Sequence, residues 1–148
     1  PEICVTRVDF YLLEDSEIDA ARRFACRLCI KAIESKMTVH IQSDDEKGAK
    51  DLDQLLWDYP EERFLPHQLI TPHDNKLQAP IHIGFGEPVF DSGLLINLAA
   101  EIPQFFSRFD RVAEIVVGDT KVRGRDHYRY YRERGFLLNH HDIKNWED

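Results

Sequence analysis

The chain has 148 residues, with 19 Lys and Arg against 27 Asp and Glu for a net charge of −8, and it is 43% hydrophobic and 31% charged. The length fits one domain, expected over residues 1–148, with enough buried surface for a real core, and the composition excludes a disordered chain. No apolar run approaches the roughly 20 residues of a membrane span, the acidity excludes wrapping duplex nucleic acid with the whole surface, and the first residues, PEICVTRVDF, lack the apolar core of a secretory signal, so the expected location is the cytoplasm.

In chain order, residues 5–13 are rich in β-branched and aromatic side chains and read as a first strand. Asp15 and Ser16 are candidate helix caps, with Asp19 three places after Ser16 in capping-box style. From 17 to 35, Ile18, Ala21, Ala25, Leu28, Cys29, Ala32 and Ile33 recur at helical spacing, which predicts an amphipathic helix of five turns. The cysteines are Cys4, Cys26 and Cys29. Cys26 and Cys29 are spaced like a redox pair, but such a pair needs a helix N-terminus and these lie inside a helix, so they read as buried thiols.

Residues 38–43 read as a second strand, parallel to the first because a helix joins the two. Asp44 or Asp45 then caps a helix running to about residue 58. Residues 61–80 are turn-rich, with Pro66, Pro72 and Pro80, the polar patch His73, Asp74, Asn75 and Lys76, and a brief strand over 67–70. Residues 81–85 make a third main strand. Residues 94–99 fit either a strand or a helix start, because periodicity does not arbitrate a run this short. A short helix is expected over 103–109, a strand over 111–117, and a final helix capped by Asp119 or Thr120 and stopped by Gly135. The remainder, 136–148, reads as a short tail. The alternation predicts an α/β three-layer sandwich, Rossmann-like in its layering, around a mostly parallel sheet.

The final helix is the most distinctive stretch. Residues 121–136 hold six basic side chains against two acidic ones, so a segment of charge +4 leaves −12 on the rest of the chain. Lys121, Arg125, Arg129 and Arg132 fall in one helical stripe, with Tyr128 and Tyr131 expected at its flanks. Such a stripe suits an acidic partner with an apolar end, or else is a solvated helix face. A second feature is the crowding of Trp57, Tyr59, Phe64 and Leu65 beside Pro60 and Pro66, which reads equally as core or as an exposed anchor for a partner.

Motifs for chemistry are sparse. There is no Walker A sequence, and Gly84-Phe85-Gly86 lacks the third glycine of a dinucleotide loop, so no nucleotide-binding loop and no cofactor are expected. No metal site is expected: the histidines are scattered, with His40 and His82 in strands and His140 and His141 in the tail. Asp44, Asp45 and Glu46 lie where α/β enzymes place a metal–phosphate site, but carboxylates also favour a helix N-terminus. An enzyme using these acids and a direct nucleic-acid binder using the basic helix stay open as alternatives.

The residues resemble the chi subunit family of bacterial DNA polymerase III. The resemblance is carried by Phe10-Tyr11-Leu12-Leu13, by Asp45-Glu46-Lys47, by Trp57, Pro60, Phe64, Pro66, His67 and Leu69 in one block, and by Arg125, Tyr128, Arg129, Tyr131, Arg132, Gly135, Phe136 and Trp146. It implies a Rossmann-like sheet without a nucleotide site and without catalysis, in a clamp-loader adaptor with two binding faces. One face, at Trp57 and Phe64, is implied to bind the psi subunit. The other is implied to bind the acidic C-terminal tail of single-stranded DNA-binding protein through Arg125, Tyr128, Arg129 and Lys121, with Val116 lining the pocket and Arg132 attracting acids of the tail. DNA would be reached only indirectly, and no membrane is implied. The family pattern has lysine where Arg129 stands, which keeps the charge and changes its geometry.

Overall fold

Among the described residues, seven parallel strands form one sheet in the order β3-β4-β2-β5-β6-β1-β7. The computed structural model describes residues 5–59, 63–71 and 79–147. The strands are β1 Arg7–Leu13, β2 Val39–Gln42, β3 His67–Leu69, β4 Ile81–Gly84, β5 Leu94–Asn97, β6 Arg111–Val116 and β7 Leu137–Ile143. The helices are α1 Ile18–Glu34, α2 Glu46–Asp58 and α3 Lys121–Glu133. Pro60, Pro72 and the patch His73 to Lys76 lie outside the described residues, as does Cys4.

Side-chain alternation sorts the sheet into two apolar faces. On β6, Ala113 and Ile115 join the core under α1 and α2, as does Val117 just after it, whereas Val112 and Val116 join the core under α3. The central strands bury both faces: β2 and β4 have no residue outside the buried class. That is why they read as short runs rich in Ile, Val and His instead of alternating ones. The sandwich is therefore three layers around a wholly parallel sheet. β1 and β2 are parallel as expected, with β6 and β5 between them.

Several local expectations are settled, some of them by correction. Residues 94–97 are a strand, since β5 sits between β2 and β6 and needs an extended backbone to bond both. The expected helix over 103–109 is only a 3-10 turn at Phe106–Arg108, with Phe105, Phe106 and Phe109 all buried under α3. The Ser16 capping box does not form; Glu17 is the N-cap and has no side-chain cap bond. Asp15 instead accepts a hydrogen bond from the Trp146 indole at 3.0 Å. Asp45 caps α2 as expected, accepting from the Gly48 amide at 2.8 Å.

The largest correction concerns the C-terminus. Residues 136–148 are not a loose tail: Leu137–Ile143 pairs along the whole of β1 and forms one edge of the sheet. Asn and Asp have low strand propensity, which helps to hide this strand in the sequence. His141 stacks on Tyr11 and bonds Asp9 at 3.1 Å. Trp146 then packs edge-on against Phe24 of α1, at 5.2 Å between ring centres.

Cys26 and Cys29 are buried, and burial pushes the Cys26 thiol up to about 12 and the Cys29 thiol well above its ordinary value. They are inert core thiols as the sequence suggested. Among the described residues no helix is long and apolar enough to cross a membrane.

Leu95 is fully buried in β5 with the aromatic core under α3, so Leu95→Ala should lower unfolding free energy by about 2–5 kcal/mol in urea titration. Leu137→Ala, at the exposed start of the edge strand, should change it by less than about 0.5 kcal/mol.

Candidate functional site

The turn Gly118–Thr120 brings α3 off the end of β6. Its amides are held from outside the helix: Gly118 N donates to Asp15 O and Asp119 N to Ser16 O, at 2.9 and 2.8 Å. Thr120 occupies the N-cap position but does not cap α3 with its side chain; its hydroxyl accepts from the Val117 amide at 3.0 Å. At the other end Gly135 takes φ 78°. Gly135 N donates to Arg132 O and Phe136 N to Tyr131 O, the paired bonds of a Schellman stop.

Gly124, His127 and Tyr131 form the buried face of α3. Gly124 lets the helix lie against β6: a Cβ there would sit 2.8 Å from Val116 Cγ2. Tyr131 was expected at the flank of the basic stripe, but it is fully buried and its hydroxyl donates to Glu114 Oε2 at 2.8 Å. Glu114 falls on the α3 face of β6 between Val112 and Val116. It also accepts from Asn97 Nδ2 at 3.0 Å, and its Oε1 lies 2.9 Å from His127 Nδ1. His127 Nε2 lies 2.8 Å from the Ala100 carbonyl oxygen. Both ring nitrogens thus face acceptors, an arrangement that favours the protonated ring, which donates from both. Burial opposes that charge, but the Glu114 carboxylate and the Ala100 carbonyl outweigh it and raise the pKa above the ordinary 6.5.

Along one flank of α3 a cavity of about 490 Å³ opens between the helix and the C-terminal ends of β1, β6 and β7. α3 contributes Lys121, Gly124, Arg125 and Tyr128, and the sheet contributes Phe10, Leu12, Val116, His140 and Asp142. Phe10 and Tyr128 meet edge to face at 5.3 Å, which fixes the ring as an apolar wall. Lys121 and Arg125 are exposed and take no ion pair among the described residues. Four of the six residues expected from the sequence, Lys121, Arg125, Tyr128 and Val116, therefore meet at one cavity. Arg129 and Arg132 lie outside its lining: Arg129 is 3.8 Å from Asp126, and the Arg132 guanidinium stands 6.0 Å from the centre of the Tyr128 ring.

Comparison with known proteins decides the family. The profile of the family described as DNA polymerase III chi subunit, HolC, matches residues 5–139. A Pseudomonas aeruginosa protein named DNA polymerase III subunit chi is 41% identical over 142 residues, covering 94% of this chain and 98% of the relative. Proteins of the same name from Escherichia coli K12 and Haemophilus influenzae Rd are 32% and 28% identical, covering 88% and 90% of this chain and 93% and 95% of the relatives. The chain belongs to the DNA polymerase III chi subunit family.

This chi-family chain carries a second surface feature far from the cavity. At the end of α2, Trp57 is 60% exposed and Phe64 52% exposed, and their rings stack at 5.0 Å. His67 of β3 packs edge-on against Trp57 at 5.2 Å. Leu65 turns inward and is buried, and Tyr59 is half-buried, so the crowded block divides into one core residue and one exposed aromatic pair.

The acids weighed as an enzyme site have structural partners. Asp44 accepts from the Ala100 amide at 2.7 Å, Asp45 caps α2, and Glu46 pairs with Lys50 at 3.1 Å. Among the described residues no group of three or more His, Cys, Asp or Glu is placed to hold a metal. The cavity residues missed from sequence, Glu14, His140, Asp142 and Lys144, come from the ends of β1 and β7. Only recognition of β7 as a strand would have brought them to the site.

The His127–Glu114 pair predicts a pH dependence. Because the native pKa is raised, its contribution is full below the unfolded value and is lost as pH rises through the native one. Urea stability should be greatest below the ordinary histidine value of 6.5 and fall as pH rises above it. His127→Gln should lower stability by about 3–5 kcal/mol near pH 6 and flatten that slope relative to the parent.

Proposed function

We propose that the chain is a non-catalytic adaptor of the replicative polymerase, with the cavity beside α3 taking the acidic C-terminal tail of single-stranded DNA-binding protein. The observation that carries this reading is the convergence of Lys121, Arg125, Tyr128 and Val116 on one open cavity. A chain end with acidic residues, a terminal ring and a free carboxylate needs separated cations and an apolar slot. Arg125 offers two parallel N–H donors to a carboxylate. Tyr128, Val116 and Phe10 border the slot for the ring. Lys121 attracts the preceding acids, and Arg129 and Arg132 extend the positive field along α3. At a net charge of −8 the rest of the surface repels bare DNA, so the cavity draws in a protein-coated strand through its coat.

The stacked Trp57 and Phe64 are the proposed anchor for the psi subunit. Exposed aromatic pairs of this kind supply much of the energy of small interfaces. The relatives' name places those proteins in DNA polymerase III, which suits such a tether.

Titration of a tail peptide tests the cavity. Exposed ion pairs contribute about 1 kcal/mol or less each, so Arg125→Ala should weaken binding about fivefold, and binding should weaken further with salt. Tyr128→Ala should cost at least as much. Unchanged affinity in both variants rejects the site.

For the other face, Trp57→Ala and Phe64→Ala should each reduce psi capture by about tenfold or more while leaving peptide binding within about twofold. Parallel loss of both activities at matched stability would show that the two faces are not separate.

A further inference from the structure

The exposed pair at Trp57 and Phe64 is assembled from two elements. Trp57 stands in the last turn of α2, whereas Phe64 lies shortly before β3, a three-residue edge strand whose one neighbour is β4. His67 of β3 joins the two. Its ring meets Trp57 edge-on at 5.2 Å and Phe64 at 5.6 Å between ring centres, while those two rings stack on each other at 5.0 Å. The His67 side chain is only 1% exposed, so a partner docking on the two rings does not touch it. The imidazole is itself held. Nδ1 lies 2.7 Å from the Leu65 carbonyl oxygen and so donates to it, and Nε2 faces Asp53 Oδ1 at 3.4 Å. Leu65 is buried in the core, and Asp53 stands one turn before Trp57 on the same face of α2. His67 is thereby tied to the core, to α2 and to β3 at once.

Large side chains standing in water keep their rotamer freedom, and a partner that immobilises them must offset that entropy out of its own binding energy. A buried ring packed against both aromatic rings removes the cost in advance, as a supporting shell does for any binding constellation. Resting on the psi-anchor reading above, we infer that His67 is the positioning residue of the anchor: without touching the partner, it holds Trp57 and Phe64 stacked before the partner arrives. A residue needed only for folding would act on the whole chain and weaken both binding faces alike. A positioning residue acts through Trp57 and Phe64, so its removal matters only while those rings are present.

The test removes the ring by two routes in the full chain. His67→Leu fills the same space, and His67→Asn keeps a short amide donor; either variant that melts with the parent serves. Titration of the psi subunit should show binding weakened about threefold or more, the size of a lost aromatic contact, with tail-peptide binding within about twofold of the parent. Added to Trp57→Ala, the same substitution should weaken psi binding by less than about twofold further. The chain has two tryptophans, Trp57 and Trp146, so a Trp146→Phe background isolates the Trp57 signal. There, in the absence of psi, the fluorescence anisotropy of Trp57 should fall when His67 is replaced. Psi binding weakened less than about threefold, a loss that adds in full to that of Trp57→Ala, or an unchanged Trp57 anisotropy would overturn the positioning role and leave the anchor standing. Psi binding indifferent to both Trp57→Ala and Phe64→Ala would overturn the anchor and the positioning role with it.

Discussion

A carboxylate buried in the middle of a sheet strand is costly unless every lone pair finds a donor. Glu114 meets that condition by drawing on two other elements: Asn97 from β5, and His127 and Tyr131 from α3. Its desolvation is offset only when α3 is seated with those two side chains inward. That seating fixes the adjoining flank of the same helix, where Arg125 and Tyr128 border the cavity. The polar cluster thus sets the register of the helix on the sheet. An apolar core alone would tolerate more sliding and rotation, since apolar contacts are not directional.

Gly124 contributes to the same seating by a steric route. Without a Cβ, the helix backbone comes close over Val116, and the cavity floor and wall then belong to adjoining elements. The Schellman stop at Gly135 turns the chain back so that β7 runs parallel to β1 and supplies the far wall.

Much of this was legible beforehand, for physical reasons. α1 and α2 announced themselves through 3.6-residue periodicity, and β6 through a run of β-branched residues. The stripe of α3 was visible because Lys121, Arg125 and Tyr128 fall on one helical face. Tyr131 was misplaced because Tyr is amphipathic and its spacing fits two faces; only the buried Glu114 decides that it points inward. β7 was hidden because it is an exposed edge, freed from the apolar alternation that marks a half-buried strand. The acids of the cavity were hidden with it, since Glu14 and Asp142 are about 130 positions apart in the chain and neighbours only through β1–β7 pairing.

The strand order has a mechanical consequence. The exposed ring pair packs on His67 at one border of the sheet, and the cavity opens beside the opposite border strand. Six strand-to-strand steps at about 4.8 Å each put roughly 29 Å of hydrogen-bonded backbone between them. A sheet that wide is a stiff spacer: ligands at its two ends would neither collide nor compete, and tension applied between them would pull across the ladder of strands instead of along a flexible linker.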